Sequence, residues 1–172
     1  MDLLILGGNS QRNKEWVYKV NSFVGDLFED TLVHEYRHWQ NGEEMIDFDA
    51  ELKITADEAQ ALSDYGVFAK SVGSLLTITL IDSNELKPVF CVFAGVALKL
   101  AKESDIDIEH LVKSLKCPVV IIQNDKDPVG TFAEVSAIAS GLDNVQVVET
   151  VGDDHSYDDL ELIRSELERN LV

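Results

Sequence analysis

Apolar residues along the 172-residue chain follow two alternating patterns. Short continuous apolar runs read as strands buried on both faces, and stretches with apolar positions three and four apart read as helices. "DLLILGG" (2–8) opens with such a run and ends it at a Gly pair. "TLVHEYRHW" (31–39), 65–69, 88–93, "PVVIIQ" (118–123) and "VQVVET" (145–150) give five more strands, rich in β-branched and aromatic residues. Between the first two, Trp16, Val17, Val20, Phe23, Val24 and Leu27 recur at helical spacing. Arg37 opens a polar loop over 37–50, and "TADE" at Thr55 reads as a capping box that starts a short helix through Ala59 and Leu62. Helices follow over 72–80, 108–115 and 131–142. The last one carries Leu160, Ile163, Leu167 and Leu171 on one face. Six strands alternating with six helices predict an α/β fold, a three-layer α/β/α sandwich around a six-stranded parallel sheet, in one domain over 1–172.

Charge narrows the partners. Fourteen Lys and Arg against 32 Asp and Glu give −18, which repels a phosphate backbone and a polybasic-type membrane contact alike. No apolar run approaches the roughly 20 residues that span a bilayer, and Met1-Asp2 leads into "LLIL" without a basic leader. The expectation is a cytoplasmic protein with a small-molecule partner, no nucleic acid and no membrane. Oligomeric state is left undetermined.

Cofactor signals are absent too. Cys91 and Cys117 are too few for a four-cysteine metal site and read as core thiols. "GGNSQR" lacks the spacing of a dinucleotide loop. "NDKDPVG" (124–130) fails as a calcium loop, with Val129 and Ser136 at positions that need ligands. No metal or cofactor is expected.

In open parallel sheets, ligands lie beyond the carboxyl ends of the strands. The third strand ends in "AKSVG" (69–73), which has the form of the G-x-S-x-G nucleophile elbow with Ala69 in place of the first Gly. A serine held at positive φ brings the residues two before and two after it together, so both must be small. The fifth strand runs into Asp125 and Asp127, and the sixth into "VGDDHSY" (151–157) with His155. Each feature has a plain alternative: a serine in a tight turn, a capping aspartate, a surface loop histidine. Together they stand in the order Ser71, Asp127, His155, each after a strand.

With "FAKSVG", "IIQNDKDPVG" and "VGDDHSY" in that order, the chain resembles a small lidless α/β-hydrolase of the serine-hydrolase type over nearly its whole length. The resemblance implies a minimal fold with strand order 2-1-3-4-5-6. It implies a catalytic Ser71, Asp127 and His155, the acid being the Asp directly before Pro128. It also implies an oxyanion hole from the backbone N–H groups of Asn9 and Val72. "LGGN" stands where the family commonly has His-Gly, and Lys70 before the serine is unusual. Lys70, Arg37 and Trp39 are candidate substrate contacts, in a pocket expected along 9–13, 37–39, 94–97 and Val129. The function implied is cleavage of a small ester, thioester or amide through an acyl-enzyme. The alternative is a catalytically silent fold used as a protein-interaction module.

Overall fold

The computed structural model describes residues 1–42 and 45–171. Its centre is a six-stranded sheet in the order β2-β1-β3-β4-β5-β6, parallel throughout. The strands are β1 (Asp2–Leu6), β2 (Thr31–Val33), β3 (Tyr65–Ser71), β4 (Cys91–Val96), β5 (Val119–Asn124) and β6 (Val145–Thr150). This is the architecture and strand order that the resemblance implied.

The described helices are α1 (Arg12–Val24), α2 (His38–Asn41), α3 (Phe48–Ala59), α4 (Val72–Asp82), α5 (Leu98–Glu103), α6 (Ile108–Ser114), α7 (Phe132–Ala139) and α8 (Leu160–Arg169). Helices α1 and α8 pack together, while α4 packs against α3 and α6, and α6 against α7. Both faces of the sheet are therefore covered. That is why β4 and β5 are buried at every residue and read as unbroken apolar runs. The edge strands differ from the expectation of six buried strands. β2 is half-buried throughout, and β6 exposes Gln146 and Glu149.

The largest departure lies in 31–39. Only Thr31–Val33 is strand; the rest is a loop and the short helix α2. Burial decides it, because His34, Tyr36, His38 and Trp39 all turn inward, which the period-two alternation of a strand forbids for neighbours 38 and 39. Each finds a polar partner there. His34 Nδ1 lies 2.6 Å from Glu58 and Nε2 3.0 Å from Glu51, and the Tyr36 hydroxyl donates to the Gly7 carbonyl at 2.8 Å.

Thr55 does not cap a helix. It lies inside α3, whose N-cap is Asp47, its carboxylate accepting from the Ala50 N–H. Thr55 is buried instead, its hydroxyl 3.4 Å from His34 Nε2. The expected loop over 37–50 accordingly contains α2 and the start of α3. Helix α5 was not anticipated; its six residues are too few to display a period.

Among the described residues no helix is long and apolar enough to cross a membrane.

Candidate active site

The corner between β3 and α4 is strained. Ser71 has φ 56° and ψ −120°, a region that costs a non-glycine residue on the order of 1–3 kcal/mol. The other described non-glycine residues at positive φ are Asn84, Asp105 and Tyr157. Asn and Asp tolerate that region through local hydrogen bonding; Ser71 and Tyr157 have no such reason, and both stand at this site. Gly73 makes the corner possible, since a Cβ there would lie 2.7 Å from the Gly7 carbonyl oxygen and 2.8 Å from Leu6 Cβ. Its N–H donates to that carbonyl at 3.2 Å. Ala69, fully buried, pairs with Leu6 on one side and Phe93 on the other. The register shifts between Lys70 and Ser71, which sets Ser71 opposite Val96.

Asp127 and His155 meet beyond the ends of β5 and β6. His155 Nδ1 lies 2.7 Å from Asp127 Oδ2, and the Tyr157 hydroxyl donates to the same oxygen at 2.6 Å. The Val129 N–H donates to Oδ1 at 2.8 Å. Burial alone would raise the Asp127 carboxyl; the hydrogen bonds from His155, Tyr157 and Val129 outweigh it and hold the group below its ordinary value. Burial pushes the Tyr157 phenol up, and the adjacent carboxylate adds to this, so the phenol stays a donor. His155 Nε2 is enclosed and has no hydrogen-bond partner among the described residues. The Ser71 hydroxyl is thus not bonded to it in this state.

Strand β4 adjoins both the serine corner and the histidine loop. Val96 lies opposite Ser71, and its neighbour Gly95 has φ 64° and presents its bare face to the histidine loop. A Cβ on Gly95 would come 2.3 Å from Tyr157 Cε2 and 2.8 Å from His155 Cε1. Gln123, fully buried at the end of β5, ties the two strand ends together. Its amide donates to Asp127 Oδ2 at 3.3 Å and to the Gly130 carbonyl, and its oxygen accepts from the Val96 N–H at 2.9 Å. Asn124 fixes the histidine loop by donating to the Asp154 carbonyl at 3.0 Å. Asp125 accepts from the Gly152 N–H at 2.9 Å.

The loop after β1 is held from beneath by the segment following β2. The Asn9 carbonyl accepts from His38 Nε2 at 2.5 Å and Trp39 Nε1 at 3.2 Å. The Asn9 side chain accepts from the Ile46 N–H at 2.9 Å and approaches Met45 Sδ at 3.6 Å. Trp39 is buried under Gly7 and supports this loop. Arg37 is exposed, its backbone N–H donating to Glu51 at 2.8 Å. Val72, the first residue of α4, is fully buried.

Lys70 is buried as well, with 6% exposure. Its Nζ donates to Asn13 Oδ1 at 3.0 Å and stands 4.6 Å from the Trp16 ring centroid. Burial pushes the ammonium down to about 8, against the charges of Asp158, Asp154 and Asp127, which favour protonation. Lys70 and His155 line one cavity of about 400 Å³, together with Asn13 and Trp16.

Sequence reasoning missed Gln123 and Tyr157, and placed Gly95 only within the expected pocket segment 94–97. A polar residue at the end of the apolar run "VVIIQ" was the available sign for Gln123; nothing local marks Tyr157 as a partner of Asp127. Among the described residues no group of three or more His, Cys, Asp or Glu is arranged to hold a metal ion.

No protein-family model matches the sequence, and no curated protein matches it. Solved structures do. Est1E from Butyrivibrio proteoclasticus is 15% identical, with TM-score 0.77 over 99% of this chain and 86% of that one. The Pyrococcus furiosus esterase Pf2001 is 16% identical, with TM-score 0.77 over 99% and 81%. Mouse alpha/beta hydrolase domain-containing protein 10 is 12% identical, with TM-score 0.75 over 99% and 89%. At these identities the likeness is one of fold: this chain has the α/β-hydrolase fold.

Proposed function

We propose that the protein is a serine hydrolase that cleaves a small ester, thioester or amide through Ser71, His155 and Asp127. The observation that carries this reading is the strained Ser71 at a strand-to-helix corner, paired with Val96 on β4, whose neighbour Gly95 faces a histidine already oriented by a buried carboxylate. The Pf2001 neighbour, an esterase on the same fold, is in keeping with it.

In this reading Ser71 Oγ turns toward His155 Nε2, which takes its proton as Oγ attacks the carbonyl carbon. Asp127 keeps the Nδ1 proton in place and stabilises the imidazolium that forms. Tyr157 and Val129 hold Asp127 ionised while it does so. The oxyanion is met by the backbone N–H groups of Val72 and Asn9, the former opening α4, whose N-terminal dipole favours negative charge. His155 then returns the proton to the leaving group. Water, activated by the same histidine, releases the acid and restores Ser71. Lys70 and the outward-facing Arg37 are candidates for substrate contact, whereas Trp39 acts through the Asn9 loop as a positioning residue.

A panel of p-nitrophenyl esters and acyl thioesters tests the reading. Wild-type protein hydrolyses at least one member, and Ser71→Ala lowers kcat by 10³-fold or more, on the order seen when a triad nucleophile is removed. Turnover that persists undiminished in Ser71→Ala would refute the assignment.

A further inference from the structure

We infer that the groove between α3, α4 and the α5–α6 segment is the acyl subsite of this centre, and that it takes an uncharged aliphatic chain. This rests on the hydrolase reading above. The groove encloses about 570 Å³, within the range of small-molecule sites. Phe48 and Leu52 of α3, Leu75 of α4, and Leu100, Ile106 and Leu111 on the opposite side form its apolar walls.

Its mouth adjoins the loop that would supply half of the oxyanion hole. Met45 and Ile46 line the groove, and the Asn9 side chain contacts both. Helix α4 gives the direction. Val72, Leu75 and Thr79 follow one another at three- and four-residue steps and share one helix face. At 1.5 Å rise per residue, Thr79 lies about 10 Å along the axis from Val72. Leu75, a wall of the groove, thus lies one helical turn from Val72, whose N–H would meet the acyl carbonyl oxygen.

Two further features describe the occupant. No Lys or Arg is among the described residues lining the groove, whose polar members include Asp49, Asp107 and His110; a chain ending in an anion is disfavoured. Met45, an exposed and adaptable apolar side chain at the mouth, suits a flexible aliphatic ligand.

The test compares p-nitrophenyl acetate with p-nitrophenyl octanoate on wild-type protein and on Leu100→Trp and Leu52→Trp, which fill the groove from partly buried wall positions. In parallel, octanamide and acetamide binding to Ser71→Ala is followed by calorimetry. The expected result is a kcat/KM for octanoate at least tenfold above acetate, given about 0.8 kcal/mol per buried methylene. That ratio collapses toward one in both tryptophan variants, and octanamide binding is lost when either is combined with Ser71→Ala. A flat chain-length profile, or a preference that both variants retain, overturns the proposal while leaving the hydrolase reading intact. If no ester is turned over, octanamide binding that the tryptophans abolish still supports the groove, and the hydrolase reading alone falls. A concentration-dependent dimer abolished by Leu100→Trp, without octanamide binding, assigns the groove to a second copy and overturns the acyl proposal.

Discussion

The imidazole of His155 faces Asp127 with Nδ1 at 2.7 Å, while its Nε2 is enclosed and unbonded among the described residues. The ring is thus held from one side only, and the side left over is the one a general base uses. Tyr157, two residues later, donates to the same carboxylate oxygen at 2.6 Å and accepts from the Asn124 N–H at 3.0 Å. Histidine, carboxylate and phenol form one unit.

Removing the phenol therefore weakens the acid. Tyr157→Phe costs about 1–3 kcal/mol at pH 7, read as a lower urea midpoint. Asp127 has a folded value held below the ordinary 3.8, so its stabilisation is present above that value and is lost as pH falls through the folded one. The difference between wild type and Tyr157→Phe narrows as pH is lowered from 5 toward 3. An undiminished difference at low pH would show that the hydroxyl does not act through the carboxylate.

Gly95 has no room for a side chain. Gly95→Ala combines a φ of 64° with a Cβ 2.3 Å from Tyr157 Cε2 and 2.8 Å from His155 Cε1. The backbone strain alone is on the order of 1 kcal/mol, and the contact must displace the histidine loop. Thermal unfolding reads a lower Tm, and ester turnover falls by more than the loss of folded protein accounts for.

His34 is buried between Glu51 and Glu58. Burial lowers its basicity, but the two carboxylates outweigh this and raise it above 6.5, while the same bonds and the Arg37 N–H hold Glu51 below 4.5. His34 contributes stability fully below pH 6.5 and loses it as pH rises through its raised folded value. Glu51 contributes above pH 4.5 and loses it as pH falls. His34→Ala leaves Glu51 buried without its partner and costs about 3–5 kcal/mol. The loss is greatest near pH 5–6.5, measured by urea unfolding across pH.

Lys70 works in the opposite direction. Its folded value near 8 lies below the ordinary 10.5, so the unfolded chain holds the proton more tightly. Stability climbs with pH between about 8 and 10.5, and the deficit is complete below 8. Lys70→Met raises stability at pH 7 by roughly 1–3 kcal/mol and abolishes that climb. A variant less stable than wild type at pH 7 would mean that the Asn13 and Trp16 contacts outweigh the burial cost.

The fold was legible because strands covered on both faces leave unbroken apolar runs, as in 118–123, and amphipathic helices such as α8 leave a period. Runs that mix burial with polar pairing were not. In 31–39 the aromatic and β-branched residues imitate a strand, yet His34, Tyr36 and His38 are inside because specific acceptors await them, and those acceptors are 17 or more residues away, on α3 or in the loop after β1. The serine corner shows in sequence because sterics force small neighbours at 69 and 73. The supports of the site do not, since Gln123, Gly95 and Tyr157 owe their roles to where β4, β5 and β6 end in space. The edge strands read as buried because Val145, Val147 and Val148 are apolar; only the sheet order reveals that one side faces water.

Intact-mass spectrometry after incubation with a fluorophosphonate tests the central claim most directly. The account predicts one adduct per wild-type chain, mapping to the peptide that contains Ser71, absent in Ser71→Ala and formed at least 100-fold more slowly in His155→Ala, as general-base assistance of this size requires. Folded wild-type protein that takes up no adduct, or an adduct that persists in Ser71→Ala, would contradict it.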